Sequence, residues 1–158
     1  MNLVYAPTYP NPELNPKASI FLAGSIEMGK ADDWQSYVAD QLSGYNITIY
    51  NPRRLDWDSS WEQKIDNPQF NEQVNWELEQ LEKATYAIFY FQPGTYSPVS
   101  LLEYGLFKHK AYVVCPEGYW RKGNVDIVAD RYGLKTFESL DAVIDVFKEA
   151  FDILGYNK

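Results

Sequence analysis

Histidine and cysteine are almost missing from this chain of 158 residues, which has one of each, and both scarcities remove a class of chemistry. The lone cysteine, Cys115, sits in the apolar run AYVVC. It excludes a disulfide framework and a multi-cysteine metal site, and reads as a core thiol. The lone histidine, His109, falls near the end of an expected helix, where its charged form suits the dipole. A Ser-His-Asp triad would have to use it, and the chain has no GxSxG elbow. Both phosphate-binding glycine patterns, the Walker motif and GxGxxG, are absent. A basic tract is absent too, and 14 Lys+Arg against 22 Asp+Glu leave a net charge of -8. Nucleic-acid polymers and anionic membrane surfaces, gripped through clustered cations, are therefore not expected partners. No apolar run approaches the ~20 residues of a membrane span, and the N-terminus lacks the charged and apolar regions of a signal peptide. A cytoplasmic protein binding a small molecule, without metal or cofactor, is expected.

Aromatic residues, in contrast, are plentiful at 16%, with five tryptophans. Such rings fill a core or stack on a planar ligand such as a nucleobase. The length suits a single domain, 1–158, with one core. Residues 1–17 hold four of the nine prolines and no periodic pattern, so an extended leader is expected there. Strand and helix signals then alternate. Strands are expected at 19–25 (SIFLAGS), 46–51 (NITIYN), 85–91 (TYAIFYF), 111–115 and, weakly, 134–137. Helices are expected at 31–44, 70–83, from Ser97 as N-cap with Pro98 in the first turn, at 125–132, and at 140–154 with Ser139 as cap. This alternation predicts an α/β fold, a flavodoxin-like five-stranded parallel sheet in the order 2-1-3-4-5 with helices on both faces. Ligands bind such sheets beyond the carboxyl ends of the strands. The segments expected there are AGSIEMGK, NPRRLDWDSSW, QPGTYSP and CPEGYWRKGN, rich in Gly, Ser, Trp and Arg. The polar, aromatic connection at 52–69 is longer than most, which favours a functional segment.

Two glutamates stand out. In SPVSLLEYGLF, residues Val99, Leu102 and Leu106 have the spacing of a buried helical stripe, and Glu103 falls on that stripe. Glu77 is likewise placed between Val74 and Leu81. Successive crossovers put both helices on one face of the sheet, so the two carboxylates point toward one region. Paired carboxyl groups serve glycosyl transfer, one attacking an oxocarbenium-like centre and the other managing protons. The alternative is that both flank their stripes and extend to solvent. Candidate ligand contacts in the loops are Gly24, Ser25, Arg54, Asp56, Trp57, Trp61, Phe91, Gly94 and Ser97, with Trp120 as a further ring. Gly24 and Ser25 could equally form a plain turn. Arg53 and Arg54 could meet an anion or lie at the surface.

IFLAGSIE, NPRR followed by DWDSSW, and PGTYSPVSLLEYG together resemble the nucleoside 2-deoxyribosyltransferase family over about residues 19–132. The resemblance implies a flavodoxin-like fold and cleavage of the N-glycosidic bond of a 2'-deoxynucleoside, with transfer of the sugar to another free nucleobase. It implies that Glu103 is the nucleophile, forming a covalent deoxyribosyl intermediate, and that Glu77 lies near the base. Ser97 would bind sugar hydroxyls, where studied members have aspartate. Asn124 would reach across a subunit interface, implying a homo-oligomer. A first-strand tyrosine that supports the nucleophile in studied members is here Phe21, so its hydroxyl would come from Tyr90, Tyr96 or Tyr104, or be dispensed with. A 2'-deoxynucleoside 5'-monophosphate N-glycosidase and a non-catalytic nucleotide-binding domain are the alternative readings.

Overall fold

The computed structural model describes residues 1–26 and 31–158. Six strands form a single sheet: β1 (Asn2–Tyr5), β2 (Ala18–Gly24), β3 (Ile47–Asn51), β4 (Tyr86–Tyr90), β5 (Ala111–Val114) and β6 (Lys135–Phe137). All pair in parallel, in the order β1-β3-β2-β4-β5-β6. This corrects the expectation of a five-stranded flavodoxin-like sheet in the order 2-1-3-4-5. The leader supplies a sixth strand, NLVY, which adds to the edge of β3 with Asn2 opposite Thr48 and Tyr5 opposite Asn51. Its four residues are too few to show alternation before the prolines begin. The remainder of the leader is strapped onto the fold, where the Trp76 indole donates to Thr8 O at 2.6 Å and the Tyr9 hydroxyl donates to Glu79 at 3.1 Å.

Helices α1 (Trp34–Gln41) and α5 (Leu140–Ile153) cover one face of the sheet. Helices α2 (Pro68–Lys83), α3 (Pro98–Phe107) and α4 (Lys122–Tyr132) cover the other. The strands serve both layers by alternation. In β2, Ile20 and Leu22 enter the α1/α5 core, and Phe21 and Ala23 enter the α2/α3/α4 core. Three helices begin on side-chain caps: Asp33 accepts from Ser36 N, Asn67 from Phe70 N and Ser139 from Ala142 N. Asn67 and the following Pro68 start α2 two residues ahead of the expected position. Among the described residues no helix is long and apolar enough to cross a membrane.

The face that α3 buries is not the expected one. Val99, Leu102 and Leu106 are exposed at 57%, 66% and 58%, whereas Ser100, Glu103, Tyr104 and Phe107 are buried. Apolar residues lie on both sides of this helix, so their period marks a stripe without saying which way it faces. Glu103 nonetheless points inward, beside Tyr104 and Phe107 rather than beside the leucines.

At the end of β2, Gly24 has φ +141° and is paired to Tyr90. A Cβ there would lie 2.2 Å from Tyr90 O, a backbone atom that cannot swing aside. Glycine is what lets β2 and β4 approach at the point where the chain turns into the site. Gly24→Ala is expected to lower the unfolding free energy by roughly 3 kcal/mol or more. An unchanged denaturant midpoint would contradict that close approach.

Candidate functional site

A cavity of about 700 Å³ opens beyond the carboxyl ends of β2 and β3 and against the inner faces of α2 and α3. Its size is that of a small-molecule site. Phe21, Trp57 and Phe70 supply aromatic wall; Gln73, Glu77, Ser97, Ser100 and Glu103 supply polar groups. The shallower hollow of about 370 Å³ between Tyr37, Tyr90, Glu138 and Asp141 lies on the α1/α5 face, away from the glutamates.

Glu77 from α2 and Glu103 from α3 meet in the cavity, their carboxyl groups within hydrogen-bonding reach of each other. Burial pushes Glu77 up to about 7, against the opposing hydrogen bonds from Gln73 and Glu103. Glu103, 7% exposed, is pushed well above the usual carboxylate range, first by burial, then by the charge of Glu77 and the hydrogen bond it gives Glu77. Two carboxylates this close and this poorly hydrated do not both ionise, so near neutrality the pair shares one proton. Gln73, one turn before Glu77, is buried at 4%. Its Nε2 donates to Glu77 Oε1 at 2.7 Å and to Pro52 O at 2.9 Å, tying the acid to the end of β3.

Ser97 stands at the N-cap position of α3, but its side chain caps nothing. It has φ +47° and ψ +48°, a left-handed backbone that costs about 1 kcal/mol or more for a non-glycine residue. The hydroxyl joins a buried cluster instead, with Ser25 Oγ 2.6 Å from Ser97 Oγ and 2.7 Å from Thr95 Oγ1. Gln92 N donates to Ser25 Oγ, and the Trp34 indole donates to Ser25 O. The turn before α3 is thereby pinned to the end of β2, with Ser97 facing the cavity.

Of the residues singled out in the sequence, Phe21, Gly24, Arg53, Arg54, Trp57, Glu77, Ser97 and Glu103 line one cavity. Ser25 lies directly behind Ser97. The others do not line it. Asp56 is exposed and holds the Arg54 guanidinium at 2.7 Å. Trp61 packs edge-on against Trp57, ring centroids 5.2 Å apart, beneath the same guanidinium. Phe91 is fully buried core against Tyr104 and Tyr119. Gly94 occupies an exposed turn at φ +80°. Asn124 is exposed on α4, outside the cavity. Trp120 stacks outside, edge-on to Tyr96. None of Tyr90, Tyr96 and Tyr104 lines the cavity. Glu27, Met28, Gly29 and Lys30, the second half of AGSIEMGK, lie outside the described residues.

Both arginines at the cavity wall are engaged. Arg54 bonds Asp56 and Glu72, and Arg53 donates to Gln35 and to the carbonyls of Ala31 and Asp32 while facing Asp33. Sequence reasoning missed Gln73, Ser100, Phe70 and the wall role of Phe21. Gln73 and Ser100 had one usable signal: they stand one turn before Glu77 and Glu103, on the same helix faces.

Parallel strands, a cavity beyond their carboxyl ends and two facing glutamates on adjacent helices describe an α/β protein with a pocket of small-molecule size. A family model described as nucleoside 2-deoxyribosyltransferase like matches residues 17–119, about two-thirds of the chain. The chain belongs to that family. The match takes in both glutamates and ends before Asn124. No match is found among curated proteins.

The raised carboxyls make stability depend on pH in a defined direction. Between the ordinary glutamate value and about 7 the folded pair binds more protons than the unfolded chain, so its contribution to stability is complete at low pH and is lost as pH rises through about 7. Glu77→Gln removes one member of the pair. The variant is expected to be more stable than wild type at pH 8 by roughly 1–3 kcal/mol, with the difference shrinking toward pH 4. Urea unfolding of both proteins across this range checks it; a pH-independent difference would contradict the shared proton.

Proposed function

We propose that this chain is a nucleoside 2-deoxyribosyltransferase, breaking the N-glycosidic bond of a 2'-deoxynucleoside and passing the sugar to another nucleobase through a deoxyribosyl ester on Glu103. One observation carries the reading: Glu77 and Glu103 face each other, buried, inside a cavity of nucleoside size. The shared proton divides the labour. At rest Glu103 gives its hydrogen bond to Glu77; once that proton passes across to Glu77, Glu103 is a poorly hydrated carboxylate, and its oxygen bonds to the anomeric carbon as the C–N bond breaks. The departing electron pair goes to the base, which takes the proton from Glu77. In the second half, a ring nitrogen of the incoming base displaces Glu103 and its surplus proton returns to Glu77.

Developing positive charge on the sugar is stabilised by Glu103 in surroundings of low dielectric. Ser97, held by Ser25 and Thr95, and Ser100 are placed to receive sugar hydroxyls, and Trp57, Phe70 and Phe21 to flank the rings. Water exclusion by these rings decides between transfer and hydrolysis. The 5'-monophosphate glycosidase reading asks for an anion site, and among the described residues both cations at the cavity wall are already bound to carboxylates or carbonyls. That arrangement favours a nucleoside over a nucleotide. Incubation with a 2'-deoxynucleoside should leave a deoxyribosyl adduct on Glu103 in intact-protein mass spectra. Glu103→Ala should lose the adduct and at least about a thousandfold in kcat. Turnover without any adduct, or undiminished turnover in the variant, would refute the covalent route.

The outward stripe of α3 supports a homo-oligomer. Val99, Leu102 and Leu106 are exposed along α3, Val99 beside Pro98 at the cavity wall, and the exposed rings of Tyr96 and Trp120 pack on each other. A second copy seated there would cover this face, and it offers a route for Asn124, which does not line the cavity, to serve a neighbour's. Leu102→Glu is expected to shift the protein to monomer in sedimentation analysis and to reduce turnover. A wild-type protein that is monomeric at micromolar concentration would contradict this.

A further inference from the structure

Among the described residues two cavity-lining side chains carry a buried polar atom without a partner, Trp57 Nε1 and Gln73 Oε1, and Gln73 is the more deeply buried of the two. Gln73 is 4% exposed, lines the cavity, and its Oε1 accepts no hydrogen bond. The orientation of the amide is fixed by its surroundings. Nε2 faces two acceptors, Pro52 O and Glu77 Oε1, and turning the amide over would set Oε1 against both. The oxygen is therefore an acceptor held rigidly next to Glu77, and a buried acceptor is costly to leave unmet.

We propose that Gln73 reads the leaving base, selecting bases that carry an amino group beside the ring nitrogen that Glu77 protonates. This rests on the reading of Glu77 as the proton donor. In a purine nucleoside, N7 is the free acceptor of the five-membered ring, and the substituent at C6 lies next to it on the same edge. Adenine presents N7 with a 6-amino donor, whereas 6-oxopurines present N7 with a second acceptor. Glu77 carrying its proton and Gln73 Oε1 together form a donor and an acceptor side by side. They match the adenine edge and oppose two oxygens in the oxopurine case. Gln73 thus does two things through one amide: its nitrogen steadies the acid, and its oxygen chooses the substrate.

The test compares 2'-deoxyadenosine with 2'-deoxyinosine, which share sugar and leaving nitrogen and differ in the substituent at C6. Wild type is expected to favour deoxyadenosine in kcat/KM by at least about ten-fold. In Gln73→Met both substrates slow because Glu77 loses its tether, and their ratio falls to within about three-fold of one. A role confined to holding Glu77 would slow both equally and leave the ratio intact. Equal rates in wild type, preference for deoxyinosine, or a ratio preserved in Gln73→Met would overturn the proposal. Calorimetry of wild type with the free bases adenine and hypoxanthine needs neither turnover nor a folded variant. Tighter binding of adenine upholds the role of Gln73 even where neither nucleoside is cleaved, an outcome that would refute the transferase reading alone. Equal binding, or binding of neither base, refutes the role of Gln73.

Discussion

Two carboxyl groups brought together out of water must share a proton, and much of this structure is arranged around that constraint. Glu77 and Glu103 come from different helices, α2 and α3, which lie on one face of the sheet because the chain crosses over in one direction from β3 to β4 to β5. Among the described residues neither carboxyl has a cation beside it to hold its charge, since both arginines at the cavity wall are bound elsewhere. Burial therefore raises both, and the remaining support is a hydrogen bond from Gln73 to Glu77 and the contact between the acids themselves. A pair in this condition destabilises the fold at neutral pH. A pair in which one group is ionised while the other holds a proton is what the proposed sugar transfer draws on.

The rest of the site is organised to keep that pair in place. Gly24 lets β2 run tight against β4, and Ser25 ties its end to Thr95 and Ser97, so the turn ahead of α3 has little freedom. The left-handed backbone at Ser97 is held by the same hydroxyl cluster. On the opposite wall, the loop after β3 is stiffened by Arg54, which joins Asp56, Glu72 and the face of Trp61, with Trp57 leaning on that tryptophan. Asp56 and Trp61 thus act on the cavity through their neighbours.

Most elements of the sheet could be read from the chain because buried parallel strands are short, apolar and separated by helical periods. SIFLAGS, YAIFY and AYVV carry that signal openly; NLVY, four residues ahead of a proline-rich stretch, does not, and the sixth strand was invisible for that reason. Periodicity was equally unable to orient α3. Its Val99, Leu102, Leu106 stripe has the right spacing for a core and faces out, while Glu103 faces in with Tyr104 and Phe107. The helix is apolar on two sides, and tertiary packing, not local pattern, decides which side is covered. Loop residues were the hardest to read. Trp57 and Phe91 look alike as aromatic candidates, and one lines the cavity while the other is core, a distinction set by neighbours distant in sequence.

The central claim, one proton held between two buried glutamates, can be measured directly. With 13C-labelled glutamate side chains and assignments from Glu77→Gln and Glu103→Gln, the carboxyl carbons can be followed by NMR from pH 4 to pH 9. The account predicts that these two resonances titrate together, with one proton still on the pair at pH 7 after the exposed glutamates have lost theirs. Two independent titrations near the ordinary glutamate value would contradict it.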